Sequence, residues 1–447
     1  MITSIRFIAE YYNPQTGEVF ESQVLRSDEI KKPTTIKDLG YLHEEQIELL
    51  QSIQDIKLRH ETFLINRDSD CPKCHSKAKS NGTRQSNFHA ALTDHKVEIQ
   101  KRHCTCGWNS PDTIDQIFGS SSHPDLIEKQ IIAGSDNSYR QASRQMNAES
   151  KKNRSINNDD RIRRNVSQVA KIIETQKLKP VKPVAQHKAA KKLITVIDGG
   201  HLKSKDNDVR SFEAMIATIY RPENIRKVDN HHNELIKKIS VASARSDHQK
   251  TIKQLVANAC RQEGSNGFVT QITCLTDGAN NCWSIANSLN PLCKELVNVL
   301  DWFHITKRFT IINNRVDLCF KEDLEKVKWF LWHGNPENAL KRLAELQSGI
   351  EDDKLSSSLK ELYEYIDRNK AYITNYQERQ AANLPFTSTV AESSVNELIN
   401  TRQKNNKKMQ WSRDGAHDVL QIRASVFSKT WKQDWEKAQE EIYTKAA

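Results

Sequence analysis

Apolar and polar positions fall into blocks that divide the chain. Residues 1–65 open with a short strand-like run and pass into an amphipathic helix around Glu44 to Ile56, where Ile47, Leu49, Leu50, Ile53 and Ile56 fall near helical spacing. No chemistry attaches to this region. A cysteine-bearing module follows over 66–112. The stretch 113–178 is helical: DLIEKQIIAG, SDNSYRQASRQMN and DDRIRRNVSQVAKII are each opened by a Ser, Asp or Asn suited to capping. LKPVKPVAQHKAAKK holds two prolines and five lysines without apolar periodicity, which marks 179–192 as a linker and domain boundary.

Beyond it, 193–304 reads as an α/β core. KKLITVIDGGH is an apolar run of β-formers ending in Asp-Gly-Gly, FEAMIATIY and KKISVASAR are neighbouring strands, and Asp247 to Arg261 has a helical pattern. FVTQITCLTDGA is a second strand ending in Asp-Gly, and LVNVLDWFHI a third. The pattern over 305–386 is helical and charged, an all-helical block that interrupts the sheet. A final helix carrying AESSVNELINTRQ begins after LPFTST and opens the region 387–447.

The 447 residues exceed what one core usually organises, so several domains are expected. The formal net charge is +10, and Arg140 to Lys192 alone contains 15 Lys or Arg against 4 Asp or Glu. The excess sits in one segment and favours a polyanionic partner. No apolar stretch approaches membrane-spanning length, and the opening MITSIRFIAEYYNPQTGEVF lacks the apolar centre of a secretory signal. A soluble cytoplasmic protein is expected. Five of the nine cysteines are scattered through the apolar central region, as reduced core thiols would be; the other four are clustered.

Those four lie in CPKC (Cys71, Cys74) and CTCGW (Cys104, Cys106), two knuckles of the kind that arrange four sulfurs around a structural zinc, in a zinc-ribbon-like module. The second has C-x-C spacing. Either Gly107 tightens its turn, or His75 or His103 replaces one sulfur. Four protein ligands leave no open position for substrate, so the zinc would be structural.

The basic helices suggest a helix-turn-helix-like arrangement. Leu126, Ile131 and Ile132 would pack against Tyr139, Ala142 and Met146, leaving Arg140 and Arg144 outward to meet phosphates or bases, with Arg161, Arg163 and Arg164 behind them in the charge-rich DDRIRR stretch.

Asp198 and Asp277 each end an apolar strand and precede glycine, which lets backbone, metal or substrate approach closely. Two such strands delivering an aspartate at the same end need charge neutralisation. A pair of divalent cations supplies it, and phosphodiester chemistry uses such a pair on the attacking and leaving oxygens. Oxygen ligands suit Mg2+ or Mn2+. Glu392 is a candidate third ligand in the first turn of the final helix, on the face of Val395, Ile399 and Arg402; Glu397, its rival, lies on another face.

The residues from about 193 to 430 resemble the DDE transposases of bacterial insertion sequences, an RNase H-like group akin to the mutator-type enzymes. VIDGGH is similar to the first-aspartate strand of that family, CLTDGANNCW to the second, and VAESSVNELINTRQKNNKKMQWSRDGAHDVLQIRA to the helix of the third acid with its Trp-Ser and Gly-Ala-His tail. DWFH, Asp301 to His304, resembles the Asp-x-x-His element that follows the second aspartate. The resemblance implies an RNase H-like core with Asp198, Asp277 and Glu392 as catalytic metal ligands for two Mg2+ or Mn2+ ions, and a helical insertion before the last catalytic helix. His304 would stand behind the ligands or contact DNA, with a satisfied core histidine as the alternative. Trp302 and Phe303 read as packing residues, and Trp411 as packing the last helix, with contact to unpaired DNA as its alternative. Lys307, Arg308, Arg402, Lys404, Lys407 and Lys408 are candidates for phosphate contact. The expected function is recognition of double-stranded transposon ends, DNA cleavage and strand transfer to target DNA, by a homo-oligomer at the bacterial nucleoid. A DNA-binding regulator or domesticated transposase that does not cut, and an RNase H-like nuclease without strand transfer, are the alternatives.

Overall fold

A computed structural model of the chain describes residues 3–181, 190–227, 233–264, 268–314, 316, 318–348, 350, 352–388, 396–404 and 409–443. The chain splits into two compact units, Met1–Val169 with Trp435–Ala447, and Ala170–Asp434.

The first unit opens with more β-structure than the sequence pattern suggests. Strands β1 (Thr3–Tyr12) and β2 (Val19–Ile30) form a long antiparallel ribbon with register shifts after Phe7 and Tyr11. Gly17, at φ 74°, closes its turn by donating to the Asn13 carbonyl at 2.8 Å. The amphipathic stretch extends at both ends into α1 (His43–Arg67). Its Leu58 packs with Val97, Ile99 and Ile114, against the hairpin of β3 (Lys79–His89) and β4 (Asp94–His103) and the short α2 (Ile114–Phe118). Three helices follow: α3 (Pro124–Asp136), α4 (Tyr139–Glu149) and α5 (Asp159–Leu178). Ser138 caps α4 by accepting from the Gln141 amide, and Leu126, Met146 and Ile156 form a buried cluster.

The second unit is built on a five-stranded mixed sheet of β5 (Lys192–Lys203), β6 (Ser211–Tyr220), β9 (Ile239–Ser243), β10 (Val269–Thr276) and β11 (Cys293–Leu300); β7 (Ile225–Lys227) and β8 (Asn233–Leu235) form a small separate hairpin. The sheet order is β11-β10-β5-β6-β9. β5, β6 and β9 pair antiparallel, whereas β10 runs parallel to both β5 and β11. Parallel neighbours need crossovers, and helices α6 (Lys250–Glu263) and α7 (Asn280–Asn287) supply them. Both central parallel strands read as apolar runs because each is covered on two faces. Cys260 of α6 lies 3.9 Å from Thr195 on one face, while Ile399 lies against Gly200 on the other.

Two strand limits differ from expectation. β5 does not end at Asp198 but continues to Lys203, because β6 stays paired with it that far. The third strand stops at Leu300; Asp301 accepts from the Phe303 amide at 3.0 Å and caps helix α8 (Trp302–Asn313), so Trp302 to Ile305 are helical. The helical block comprises α8, α9 (Leu318–Trp332), α10 (Pro336–Gln347), α11 (Asp353–Asn369) and α12 (Tyr376–Ala381). Asn396–Lys404 is π-helical, followed by α13 (Arg413–Phe427) and α14 (Trp431–Ile442). Most of the expected linker, 182–189, lies outside the described residues. Among those described, no helix is long and apolar enough to cross a membrane.

Candidate functional site

Register places the two aspartates side by side. β10 and β5 pair in parallel up to Thr276 opposite Ile197, so Asp277 and Asp198 are the next residues on adjacent strands. Each carboxylate is steadied by a nearby amide: Gly199 donates to Asp198 Oδ1 at 2.7 Å and Ala279 to Asp277 Oδ1 at 3.0 Å. Burial pushes the Asp198 carboxyl above its ordinary value; His304 opposes this and the charge of Asp277 adds to it. Two partly desolvated carboxylates held together form an anionic site suited to a cation.

The glycines after Asp198 have separate reasons. A side chain on Gly199 would collide with the Glu213 carboxylate, which accepts from Asn281 on α7. A side chain on Gly200 would meet Ile399 Cδ1 at 2.6 Å. Strand alternation puts Gly200 on the face from which Asp198 projects, so the 396–404 segment covers that face. Gly278, at φ 89°, leaves space for Asn369 and Leu300.

Asp301 extends the row. Leu300 is opposite Thr276 in the parallel pair of β11 and β10, so Asp301 stands beside Asp277. It is buried, and its Oδ1 accepts from the Ser388 amide at 3.0 Å while its Oδ2 accepts from the Ser388 hydroxyl. His304 Nε2 lies 3.7 Å from the same Oδ2. The Trp302 amide donates to the Phe386 carbonyl at 3.1 Å, which lays the strap before Ser388 along the strand end. Glu392 lies in 389–395, outside the described residues, but both flanks of that stretch are anchored: Ser388 at Asp301, and Ile399 at Gly200. Glu397 is exposed, whereas Leu398 and Ile399 are buried.

The residues after the final acid have packing roles. Trp411 is buried and its indole donates to the Gln403 carbonyl at 3.2 Å; Ser412 caps α13 by accepting from Gly415; and His417 receives the Ala244 amide on Nδ1 and pairs with Glu174 through Nε2. Trp302 likewise packs, against Trp332 and Tyr376. Arg402 requires correction as a phosphate contact. It is buried, with its guanidinium 4.7 Å from the Trp411 ring centre, because it belongs to the packed stripe of its helix.

Lys307 and Arg308 are exposed on α8, and Lys404 is exposed; Lys407 and Lys408 lie outside the described residues. The Arg308 guanidinium sits 3.9 Å over the Tyr365 ring, whose hydroxyl donates to the Asp277 carbonyl at 2.9 Å, so a cationic group stands next to the aspartate pair. In the first unit, Arg140 and Arg144 are exposed on α4, the former 3.9 Å from Asp159. Arg161 is half-buried, Arg163 pairs with Asp160 at 3.2 Å, and Arg164 donates to the Asp160 carbonyl.

All four clustered cysteines converge, their sulfurs within 4.8 Å of one another, with Cys71 to Cys106 at 3.5 Å and Cys74 to Cys104 at 3.4 Å. Tetrahedral zinc, about 2.3 Å from each sulfur, separates sulfurs by about 3.8 Å, so the cluster is dimensioned to hold one ion. Gly107 at φ 87° and His75 at φ 57° turn the two knuckles, so the short C-x-C spacing is accommodated by the turn and both histidines stay out of the sulfur cluster. The Cys106 amide, followed by the Ser76 hydroxyl, draws the Cys104 thiol down to about 6, while the Cys106 thiol, despite the Trp108 amide, is pushed up to about 12 by burial and by its neighbouring sulfurs.

Sequence reading overlooked Asp301 as a structural hub and Glu213 as a neighbour of the site. Signals for both existed: Asp301 follows an apolar run of β-formers as the other aspartates do, and Glu213 is the only acid in the apolar strand FEAMIATIY. No family model matches the chain, and no curated protein sequence matches it.

Proposed function

We propose that the chain is a DDE-type transposase, with an RNase H-like core in the unit Ala170–Asp434 and DNA-end recognition in the unit before it. The observation that carries this reading is the register of Asp198 and Asp277 on adjacent parallel strands. The sheet supports it: three antiparallel strands followed by two parallel ones, in the order β9-β6-β5-β10-β11, is the arrangement an RNase H-like core requires.

Asp198 and Asp277, with Glu392 as third ligand, would hold Mg2+ or Mn2+. The fit rests on two partly desolvated carboxylates side by side with the flanks of the third acid's segment anchored next to them. Divalent ions bound there supply activation of the attacking oxygen and stabilisation of the leaving one. The chain's own residues position them: Gly199 and Ala279 amides orient the carboxylates, Tyr365 fixes the Asp277 backbone, and Arg308 and Lys307 offer charge to the phosphodiester. Water is the first nucleophile and the freed 3′-hydroxyl the second, with no covalent protein intermediate. The zinc cluster is structural and the exposed arginines of α4 and α5 grip the transposon end, in a homo-oligomer working on DNA at the nucleoid.

The test is cleavage, with Mg2+ or Mn2+, of DNA carrying the sequences on either side of the gene, where short inverted repeats are expected. The wild type cuts and then joins the 3′ end to target DNA, while Asp198→Asn binds the same ends without cutting. Cleavage that persists in Asp198→Asn overturns the assignment.

A further inference from the structure

Where the turn between β8 and β9 meets the end of α13, the second unit forms a cavity of about 370 Å3. Sites for small molecules span about 300–1,000 Å3. Leu235, Ile236 and Ile239 on one side and Phe427 on the other give it apolar walls, and Lys238 and Lys429 bring two ammonium groups to it. The acid in its lining is already matched: buried Glu263 pairs with Arg221 at 2.9 Å and with Lys237 at 3.8 Å.

The other two lysines are not matched. Among the described residues neither Lys238 nor Lys429 forms an ion pair, and the Lys238 ammonium instead lies 3.4 Å from the centre of the Phe427 ring. Burial pulls the Lys238 amine below its ordinary value; the charge of Glu397 opposes this and that of Lys429 adds to it. Two like charges held together, one of them partly desolvated, are relieved by a bound anion. Lys429 also occupies a position that favours glycine. It lies just beyond α13 at φ 59°, its amide donating to the Val426 carbonyl at 3.0 Å, in the left-handed conformation with which helices commonly end. The neighbouring Ser428 hydroxyl accepts from the Ser240 amide at 2.8 Å, which ties this turn to β9 and fixes the backbone that carries both lysines.

A pair of ammonium groups suits a doubly charged anion better than a carboxylate. A phosphate monoester carries about 1.5 to 2 negative charges near neutral pH and offers three acceptor oxygens. Inorganic phosphate would leave the apolar walls bare. We propose that this cavity binds an organic phosphate monoester, the phosphate between Lys238 and Lys429 and an apolar or aromatic body against Leu235, Ile236 and Ile239. The site is distinct from the aspartate pair. Ile239 is opposite Ile219 of β6 and Asp198 opposite Ile216, so the two places are three residues along and two strands across, about 14 Å apart.

The proposal does not rest on the DNA chemistry, and its test contains no divalent cation. Isothermal titration calorimetry of the full chain uses phenyl phosphate and adenosine 5′-monophosphate as probes. Both are expected to bind, inorganic phosphate more weakly, and phenol and adenosine not at all. Lys429→Gly installs the residue best suited to the left-handed position, so thermal stability is expected to hold or rise. Affinity for both probes is expected to fall roughly tenfold or more in that variant, the loss of one charge-assisted hydrogen bond. Lys238→Met keeps the apolar stem and is expected to weaken binding to a similar degree. Competition by a 5′-phosphorylated oligonucleotide and by its 5′-hydroxyl form identifies the source of the phosphate. Displacement of phenyl phosphate by the phosphorylated form alone assigns the site to a strand end, and displacement by neither assigns it to a free molecule. Displacement by both alike means that a phosphodiester suffices, which overturns the choice of a monoester. A wild type that binds neither probe at millimolar concentration, or binding that Lys429→Gly and Lys238→Met leave unchanged, overturns the site itself.

Discussion

The carboxylate of Asp301 receives both polar groups of Ser388, the backbone amide at 3.0 Å and the hydroxyl. Because Asp301 is buried and also caps α8, its removal leaves several donors without an acceptor. Asp301→Ala is expected to destabilise the unit Ala170–Asp434 by about 2–4 kcal/mol, and Ser388→Ala, which keeps the amide bond, by about 1 kcal/mol. Urea unfolding followed by tryptophan fluorescence checks this order; equal effects would remove Asp301 from the role of clasp.

Gly200 and Ile399 form a second point of attachment. Gly200→Ala puts a methyl 2.6 Å from Ile399 Cδ1, an overpacking expected to cost about 1–3 kcal/mol. Shortening the neighbour should relieve it, so Gly200→Ala combined with Ile399→Val is expected to be less destabilised than the sum of the two changes by about 0.5 kcal/mol or more. A double-mutant cycle in urea measures the coupling, and strict additivity would separate the two residues.

Acid sensitivity should centre on Glu174. Burial alone would raise its carboxyl, but hydrogen bonds from His417 and Arg245 outweigh that and bring it to about 2, from an ordinary 4.5. A carboxyl depressed in the folded state stabilises above its unfolded value, and that contribution disappears as pH falls through the folded one. Part of the stability of this unit is therefore expected to be lost between about pH 4.5 and 2. Glu174→Gln should lower stability at neutral pH and flatten the acid limb; a wild-type-like limb in that variant would assign the effect to other carboxyls.

One zinc per chain is expected on elemental analysis, with none retained by Cys71→Ser paired with Cys104→Ser. Chelation of the wild type should loosen the knuckles, read as faster amide exchange at 71–78 and 104–109. A fully reduced, metal-free protein with unchanged exchange would contradict the zinc assignment.

The legible parts of the fold are those with local causes. Apolar β-branched runs gave β5, β6, β10 and β11, and the capped helical patterns gave α3, α4 and α5. What escaped depends on partners distant in sequence. Asp198 lies in mid-strand because β6 remains paired beyond it, which no local signal in VIDGGH records. The first ribbon was underestimated because its apolar residues are interspersed with charged ones that pair with α1. The site shows the same division. Apolar β-runs closing on Asp-Gly singled out Asp198 and Asp277, whereas the place of Asp301 beside Asp277 depends on β11 pairing with β10, and the burial of Arg402 on the Trp411 ring lying against its guanidinium.

The aspartate pair is tested most directly by changing the softness of its ligand. Asp277→Cys replaces an oxygen with a sulfur at one position of the pair, and thiolate favours Mn2+ over Mg2+. End cleavage by this variant is predicted to be lost with Mg2+ and regained at least in part with Mn2+, while end binding is unchanged. Cleavage by Asp277→Cys at the wild-type rate with Mg2+ would contradict the account.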